Sequence, residues 1–295
     1  MIPVPEFPDY RRIELADKTL FDRQFERMQP DISEYTFTNL FGWRNFYGFR
    51  LSGYQDFLVL TARWKGKEVF YPLIGHGDTS ATMLDLMRAT GNAFVRVPEH
   101  IKQLFEGTHG VKTMFDPDNA DYEYLTDDLV KLQGRKYDGK RNLIRKFKSS
   151  YAYEYFAIGT QHIAECFRFE DFWCHEMDCE KMESLKAERL AMEDILHNYG
   201  ALGVRGGAIR VNGAICAVCM AEKLNRDTLV IHILKAAREM PGLYQTIFNE
   251  FLQHEAADAV TVNMEQDLGI EGLRKAKLSY QPSDMVKKYT LSLAA

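Results

Sequence analysis

The sequence predicts an α+β protein, α/β-like in its ordering and built as two domains. Three observations carry this. The chain has 295 residues, a length that fits two ordinary domains. Its second half reads helix, hairpin, strand, loop and helix, strand, helix, strand. Its first half offers a hairpin followed by a helix. The expected division is a first domain over residues 1–134, a basic connecting helix over 135–150 and a second domain over 151–295.

Composition is that of an ordinary globular protein, and the chain is long enough to bury its own core. The net charge of −5 argues against a surface that binds nucleic acid everywhere, while leaving room for a local basic face. Five cysteines, all in the second half, are an odd and unevenly spaced set. They are expected to be reduced thiols in a cytoplasmic protein. The N-terminus has neither a basic nor an apolar leader-like region, so no signal peptide is expected. The longest apolar run, residues 214–221, is far shorter than a membrane span, so no integral membrane segment is expected either.

Taken in order, residues 17–28 place Leu20, Phe21, Phe25 and Met28 at helical spacing. An aromatic-dense region follows (Tyr35, Phe37, Phe41, Trp43, Phe46, Tyr47, Phe49, Tyr54, Phe57), which reads as core or as the lining of a cleft. Residues 57–63 and 68–74 read as strands, with Lys65-Gly66-Lys67 as their turn. Asp78 or Thr79 can cap a helix over 79–90. A short strand over 93–97, a short helix over 99–105 and an acidic loop over 112–124 follow. Residues 127–151 then carry Arg135, Lys136, Lys140, Arg141, Arg145, Lys146 and Lys148 on a helix striped by Leu143, Ile144 and Phe147. This is a solvated linker or a basic wall facing an anionic ligand.

The second half begins with a strand over 153–158 and helices over 163–175 and 181–198, the latter ended by Gly200. Strands over 207–211 and 214–222 meet at Asn212-Gly213, the strongest hairpin signal in the chain. Residues 228–255 form a buried strand, the loop Arg238-Glu239-Met240-Pro241-Gly242 and an amphipathic helix burying Leu243, Ile247, Phe248, Phe251 and Leu252. A proline-started helix end leaves amides that attract phosphate. A strand over 259–264, a basic helix over 269–279 and a last strand over 285–293 complete the chain.

That element order resembles the GNAT acyltransferase fold, in which the loop after the central strand holds the donor's pyrophosphate through backbone amides. The resemblance implies two GNAT-like domains, each a mixed central sheet flanked by helices. The usual loop pattern is Arg/Gln-x-x-Gly-x-Gly/Ala; here one glycine, Gly242, stands one position out of register and the second is missing. The stretches KRNLIRKFKSSY (140–151) and EQDLGIEGLRKAKLSYQP (265–282) resemble signatures of the phosphatidylglycerol lysyltransferase C-terminal-like family, also called DUF2156 and related to Fem-type aminoacyltransferases. The resemblance implies transfer of an acyl or aminoacyl group to an amine or hydroxyl.

Such transfer needs an anion site, donors to the developing oxyanion and a path for the acceptor's proton. For the donor, acyl-CoA or an aminoacyl-tRNA, the expected residues are Lys235, Arg238, Gly242, Leu243 and Tyr244. For catalysis they are Glu265 and Asp267, just past a strand end, with Tyr280 as a proton donor. For a small-molecule or lipid-like acceptor, or for tRNA, they are Lys140, Arg141, Lys146, Arg274 and Lys277. Plainer readings stand beside these: Asp267 as a helix cap, Arg274 and Lys277 on a solvated face, Tyr280 in packing, His232 as a satisfied core histidine. Cys216 and Cys219, three apart on a strand, face opposite sides, so no metal site is expected. The alternative to a transferase is a non-catalytic module binding a nucleotide-containing metabolite; a peripheral membrane protein is the third reading.

Overall fold

A computed structural model describes residues 2–294. The chain is a mixed α+β protein with two mixed sheets flanked by helices. It forms two compact units: residues 1–122, 266–274 and 285–295, and residues 123–265 and 275–284.

The first unit opens with β1 (Arg11–Arg12), α1 (Lys18–Met28) and α2 (Phe37–Tyr47). Then come β2 (Arg50–Tyr54), β3 (Phe57–Trp64), β4 (Lys67–Phe70), β5 (Ile74–Gly75) and α3 (Thr79–Thr90). β6 (Phe94–Pro98), α4 (Glu99–Gln103) and β7 (Val111–Phe115) follow, and β8 (Asp121–Leu125) crosses into the second unit. The expected turn between β3 and β4 is present, with Lys65 and Gly66 both at positive φ. Asp78 caps α3 by accepting a hydrogen bond from the Ala81 amide. Of the aromatic-dense region, Tyr35, Phe37, Phe41, Phe49 and Phe57 are buried, whereas Phe46 is exposed.

The second unit continues with α5 (Thr126–Lys131), α6 (Asp138–Ser150), β9 (Tyr153–Ala157), α7 (Ile163–Glu176), α8 (Glu183–His197) and α9 (Tyr199–Leu202). Then come β10 (Arg205–Val211), β11 (Ala214–Lys223), β12 (Thr228–Ala236), α10 (Leu243–Glu255), β13 (Thr261–Asn263) and α11 (Glu271–Leu278). β14 (Asp284–Val286) and β15 (Lys288–Leu293) end the chain. Asn212 and Gly213, both at positive φ, turn β10 into β11. The predicted apolar face of α10 is buried throughout.

One sheet runs β1-β2-β3-β4-β6-β15-β7, with β5 on β3; the other runs β14-β8-β13-β12-β11-β10-β9. Both sheets mix directions: β4 pairs with β6 and β12 with β13 in parallel, beside antiparallel neighbours. The core of the first unit includes Phe70, Met83, Leu86, Phe94 and Leu291.

Several expectations differ from the structure. The acidic stretch 112–124 holds strands β7 and β8; β7 is an exposed edge strand, so its polar side chains hide the strand pattern. Gly200 lies inside α9, and Gly203, at φ 73°, ends it. The basic stretch 135–150 holds a 3-10 turn over Arg135–Tyr137 and then helix α6, both within the second unit, which begins at Glu123. The C-terminal β15 belongs to the first unit's sheet, a long-range pairing no local pattern announces. Cys174 and Cys179 are joined as a disulfide, because the chain turns back through Asp178 at positive φ directly after α7. Cys166, Cys216 and Cys219 are free and buried. Among the described residues no helix is long and apolar enough to cross a membrane.

Candidate functional site

In the second unit β12 pairs with β11 along most of its length, but β13 is short. The parallel ladder therefore joins only Thr228, Leu229 and Val230 to Thr261, Val262 and Asn263. Residues 231–236 of β12 run on beyond the end of β13, and a gap of this kind at strand ends is where α/β sheets receive ligands. The register across β11 and β12 passes from Ala221 opposite Ile231 to Met220 opposite Ile233. His232 is thus the extra residue of a β-bulge, a device that re-aims a side chain.

The His232 side chain is 4% exposed and lies between two carboxylates. Its Nδ1 is 2.9 Å from Glu265 Oε1 and its Nε2 is 2.9 Å from Glu222 Oε1. Burial alone would lower the imidazole's pKa. The hydrogen bonds to Glu222 and Glu265 outweigh it and raise the group to about 9. At neutral pH it is an imidazolium donating from both nitrogens, and the three groups together carry one negative charge.

Glu265 directly follows Met264 at the end of β13 and has φ 57°, a conformation uncommon for a residue with a side chain. Neighbouring groups hold it. The Glu265 amide donates to Asn263 Oδ1 at 2.7 Å, His232 binds its carboxylate, and the buried Lys277 ammonium donates to the Met264 carbonyl at 2.5 Å. Its side chain remains 18% exposed. A strained, braced carboxylate that stays partly exposed is suited to taking a proton or holding a cation.

The loop after β12 leads to α10. The Ala237 amide donates to the Cys216 carbonyl, and the Leu243 amide donates to the Met240 carbonyl. Gly242 has φ 90°, and a Cβ there would run into the Leu143 carbonyl of α6. Glycine is required on both counts. The Thr246 amide and hydroxyl both donate to the Gly242 carbonyl, 2.9 and 2.8 Å away. Leu243 is fully buried and Tyr244 half-buried. Arg238 is at the surface, its Nη1 3.5 Å from Met177 Sδ. Lys235 is buried, ion-paired to Glu170 at 2.8 Å and Glu188 at 2.9 Å, with its Nζ 4.2 Å above the Trp173 ring. Its charge is spent inside the fold.

On α6, Lys140 is half-buried. Its ammonium donates to Ser279 Oγ at 2.6 Å and stands 3.8 Å above the Tyr280 ring; burial lowers its pKa. Arg141 closes the turn before α6 by donating to the Leu132 and Gly134 carbonyls and pairing with Asp138. Lys146 is exposed. Tyr280 is buried edge-on against Phe248, and its hydroxyl has no partner among the described residues.

Asp267 and Arg274 lie in the first unit. Asp267 is 1% exposed, receives Arg274 at 2.7 Å, and also accepts from the Tyr122 hydroxyl and the Gly269 amide. Burial works against the ionised form, and the Arg274 and Tyr122 hydrogen bonds prevail, so its pKa is lowered. Arg274 bridges it to Asp118. A buried carboxylate engaged in this way orders a turn and has little basicity to offer a substrate. Of the residues expected at the site, the structure brings Glu265 and Lys277 together. His232 and Glu222 join them unannounced, because their partners are 33 and 10 residues apart in sequence. The turn at 225–227 holds the available signal: its hairpin register sets Glu222 opposite Val230. Among the described residues no group of three His, Cys, Asp or Glu is placed to hold a metal.

The sequence profile described as "Phosphatidylglycerol lysyltransferase, C-terminal" matches residues 25–292. The chain belongs to that family. A search of curated proteins finds no match. Among solved structures, a conserved protein of unknown function from Bacteroides thetaiotaomicron VPI-5482 is 33% identical with a TM-score of 0.90, over 97% of this chain and 99% of that one. L-PGS from Bacillus licheniformis superposes with a TM-score of 0.65 at 14% identity, over 99% and 94%. FemX superposes with a TM-score of 0.61 at 7% identity, over 97% of both chains. The last two likenesses are of fold alone. The two stretches that resemble the family's signatures have clear structural work here. Residues 140–151 supply the Leu143 carbonyl against which Gly242 closes, and residues 265–282 supply Glu265, the Asp267–Arg274 clasp and Lys277.

Proposed function

We propose that the protein is an aminoacyl- or acyltransferase in which Glu265 receives the proton of the acceptor nucleophile. The observation that carries this reading is the braced Glu265 carboxylate just past β13, beside the stretch of β12 that runs on beyond the end of β13. An amine or hydroxyl donating to Glu265 gains nucleophilicity as its proton leaves, and attacks the donor's carbonyl carbon. The tetrahedral intermediate collapses by breaking the bond to the leaving oxygen or sulfur, and the proton held by Glu265 is the one the leaving group needs. The donor, an aminoacyl-tRNA or acyl-CoA, is placed by this reading at the loop 237–242 and the first amides of α10, with Arg238 as the accessible cation. Family membership favours an aminoacyl group, and a lipid-like acceptor or an amine both suit the chemistry. A cytoplasmic setting is part of this reading.

The test is transfer from charged tRNA, or from acyl-CoA, to amines or to phosphatidylglycerol vesicles. The Glu265→Gln variant is expected to lose about 10²-fold or more in kcat while remaining folded. Full activity in that variant would remove Glu265 from the chemistry. A second reading, a module that binds a nucleotide-containing metabolite without turnover, is favoured by Lys235 being committed to Glu170 and Glu188 and by Gly242 packing on α6. Turnover of any donor by the unaltered protein excludes it.

A further inference from the structure

We infer that His232, braced from behind by Glu222, is the positioning residue of the acceptor step: it fixes the Glu265 carboxylate in its strained turn. The inference rests on the transferase reading above and adds to it two residues that do not touch substrate.

Four observations carry it. His232 is the extra residue of a bulge, so the strand departs from regular pairing at the point from which the imidazole reaches Glu265. Both ring nitrogens are engaged at 2.9 Å by carboxylates, Nδ1 by Glu265 and Nε2 by Glu222. Glu265 sits at φ 57°, a backbone state that persists only where surrounding contacts over-determine it, and the imidazole is one of those contacts. The charged groups at this corner come from three elements: Glu222 on β11, Glu265 after β13, and Lys277 on α11, whose ammonium is given to the Met264 carbonyl.

The charge arithmetic explains why a second carboxylate is there. Glu265 beside an imidazolium alone would form a neutral pair, and taking up a proton would leave a buried positive charge. With Glu222 present the His232–Glu222–Glu265 cluster starts at −1, balancing the buried Lys277 ammonium nearby, and reaches zero when Glu265 is protonated, so the proton is taken without turning the cluster itself positive. His232 and Glu222 thus relate to Glu265 as an orienting pair relates to a general base.

The experiment combines a structural and a kinetic readout on the full chain. Histidine-selective NMR titration, with the His232 signal identified by its loss in His232→Gln, should show this one of the eight histidines titrating near 9. In Glu265→Gln and in Glu222→Gln the same signal should fall by at least one unit. In transfer assays His232→Gln should lower kcat at least tenfold with KM nearly unchanged, and Glu222→Gln should lower kcat less and alter the acidic limb of the pH–rate profile. A His232 that titrates at the ordinary 6.5 overturns the inference whatever the activity, as does a His232→Gln variant that transfers at the unaltered rate. If the unaltered protein transfers nothing, the transferase reading fails and the role in an acceptor step fails with it. The titration then reports separately whether the clamp exists.

Discussion

His232 can be judged by the pH dependence of stability as well as by chemistry. In the unfolded chain its pKa is about the ordinary 6.5, and in the folded protein it is raised to about 9. The folded state therefore binds the proton more tightly. The resulting stability is fully present below about pH 6.5 and is lost as pH rises through about 9. For this buried group the difference is on the order of 3 kcal/mol. Thermal melts of the unaltered protein should fall between pH 7 and 10 more steeply than those of His232→Gln. Equal slopes would mean that the imidazolium is not clamped. The place of Glu265 was legible in the sequence, because the apolar run 259–264 reads as a strand that ends directly before it. His232 was not, because a lone histidine in an apolar strand gives no hint of two acids brought to it by a hairpin and a crossover.

At the level of elements, the strand–loop–helix over 228–255 was recognisable from its apolar run, its Pro-Gly pair and the helical spacing that follows. Its chemistry was less so. Lys235 reads as a cation at a strand end, yet α7 and α8 supply Glu170 and Glu188 to it, and nothing local in β12 announces those helices. The glycine reads as part of a phosphate loop, yet its hydrogen faces the Leu143 carbonyl. Its demand is therefore for close packing between α6 and the start of α10. Gly242→Ala must place a Cβ into that carbonyl at φ 90°, combining a left-handed backbone penalty with overpacking. A loss of roughly 2–3 kcal/mol is expected in chemical denaturation. A nearly neutral Gly242→Ala would show that α6 yields and that the loop has slack. β7 and β8 were missed for a different reason: β7 is an exposed edge strand with no alternation to read, and β8, Asp-Tyr-Glu-Tyr-Leu, is an interior strand whose acidic residues read as loop.

At the level of the whole molecule, the predicted fold class follows from element order, whereas the unit boundaries depend on pairings across most of the chain. β15 pairs with both β6 and β7, and the fully buried Lys288 ammonium lies 2.6 Å from Glu34 and from Asp121, all within the first unit. Deleting residues 284–295 removes an interior strand and takes Lys288 away from Asp121 and Glu34, leaving Arg96 as the buried cation beside Glu34. Hydrogen exchange should then show loss of protection across β2, β3, β4 and β6. Retained protection there would make β15 dispensable.

The choice of donor also belongs to this scale, because it depends on how many cations remain for phosphates. The basic stretch 135–148 looks in sequence like seven cations on one segment. In the structure Lys136 pairs with Asp128, Lys140 donates to Ser279, Arg141 closes a turn and pairs with Asp138, and Lys148 pairs with Glu250. Arg135 and Lys146 are exposed, and Arg145 contacts Asn142. Two or three phosphate contacts from this segment are the physical expectation. Each contributes a slope of about −0.7 to −0.9 in log K against log salt, so a charged tRNA held chiefly here should bind with a slope of roughly −2 to −3. Fluorescence titration of labelled tRNA from 50 to 300 mM salt measures it, and Lys146→Ala should reduce the slope by about one contact's worth. A steep slope unaffected by Lys146→Ala would place the tRNA on a different face. A slope near zero with binding to CoA instead would assign the donor site to a thioester, held by the α10 amides and Arg238.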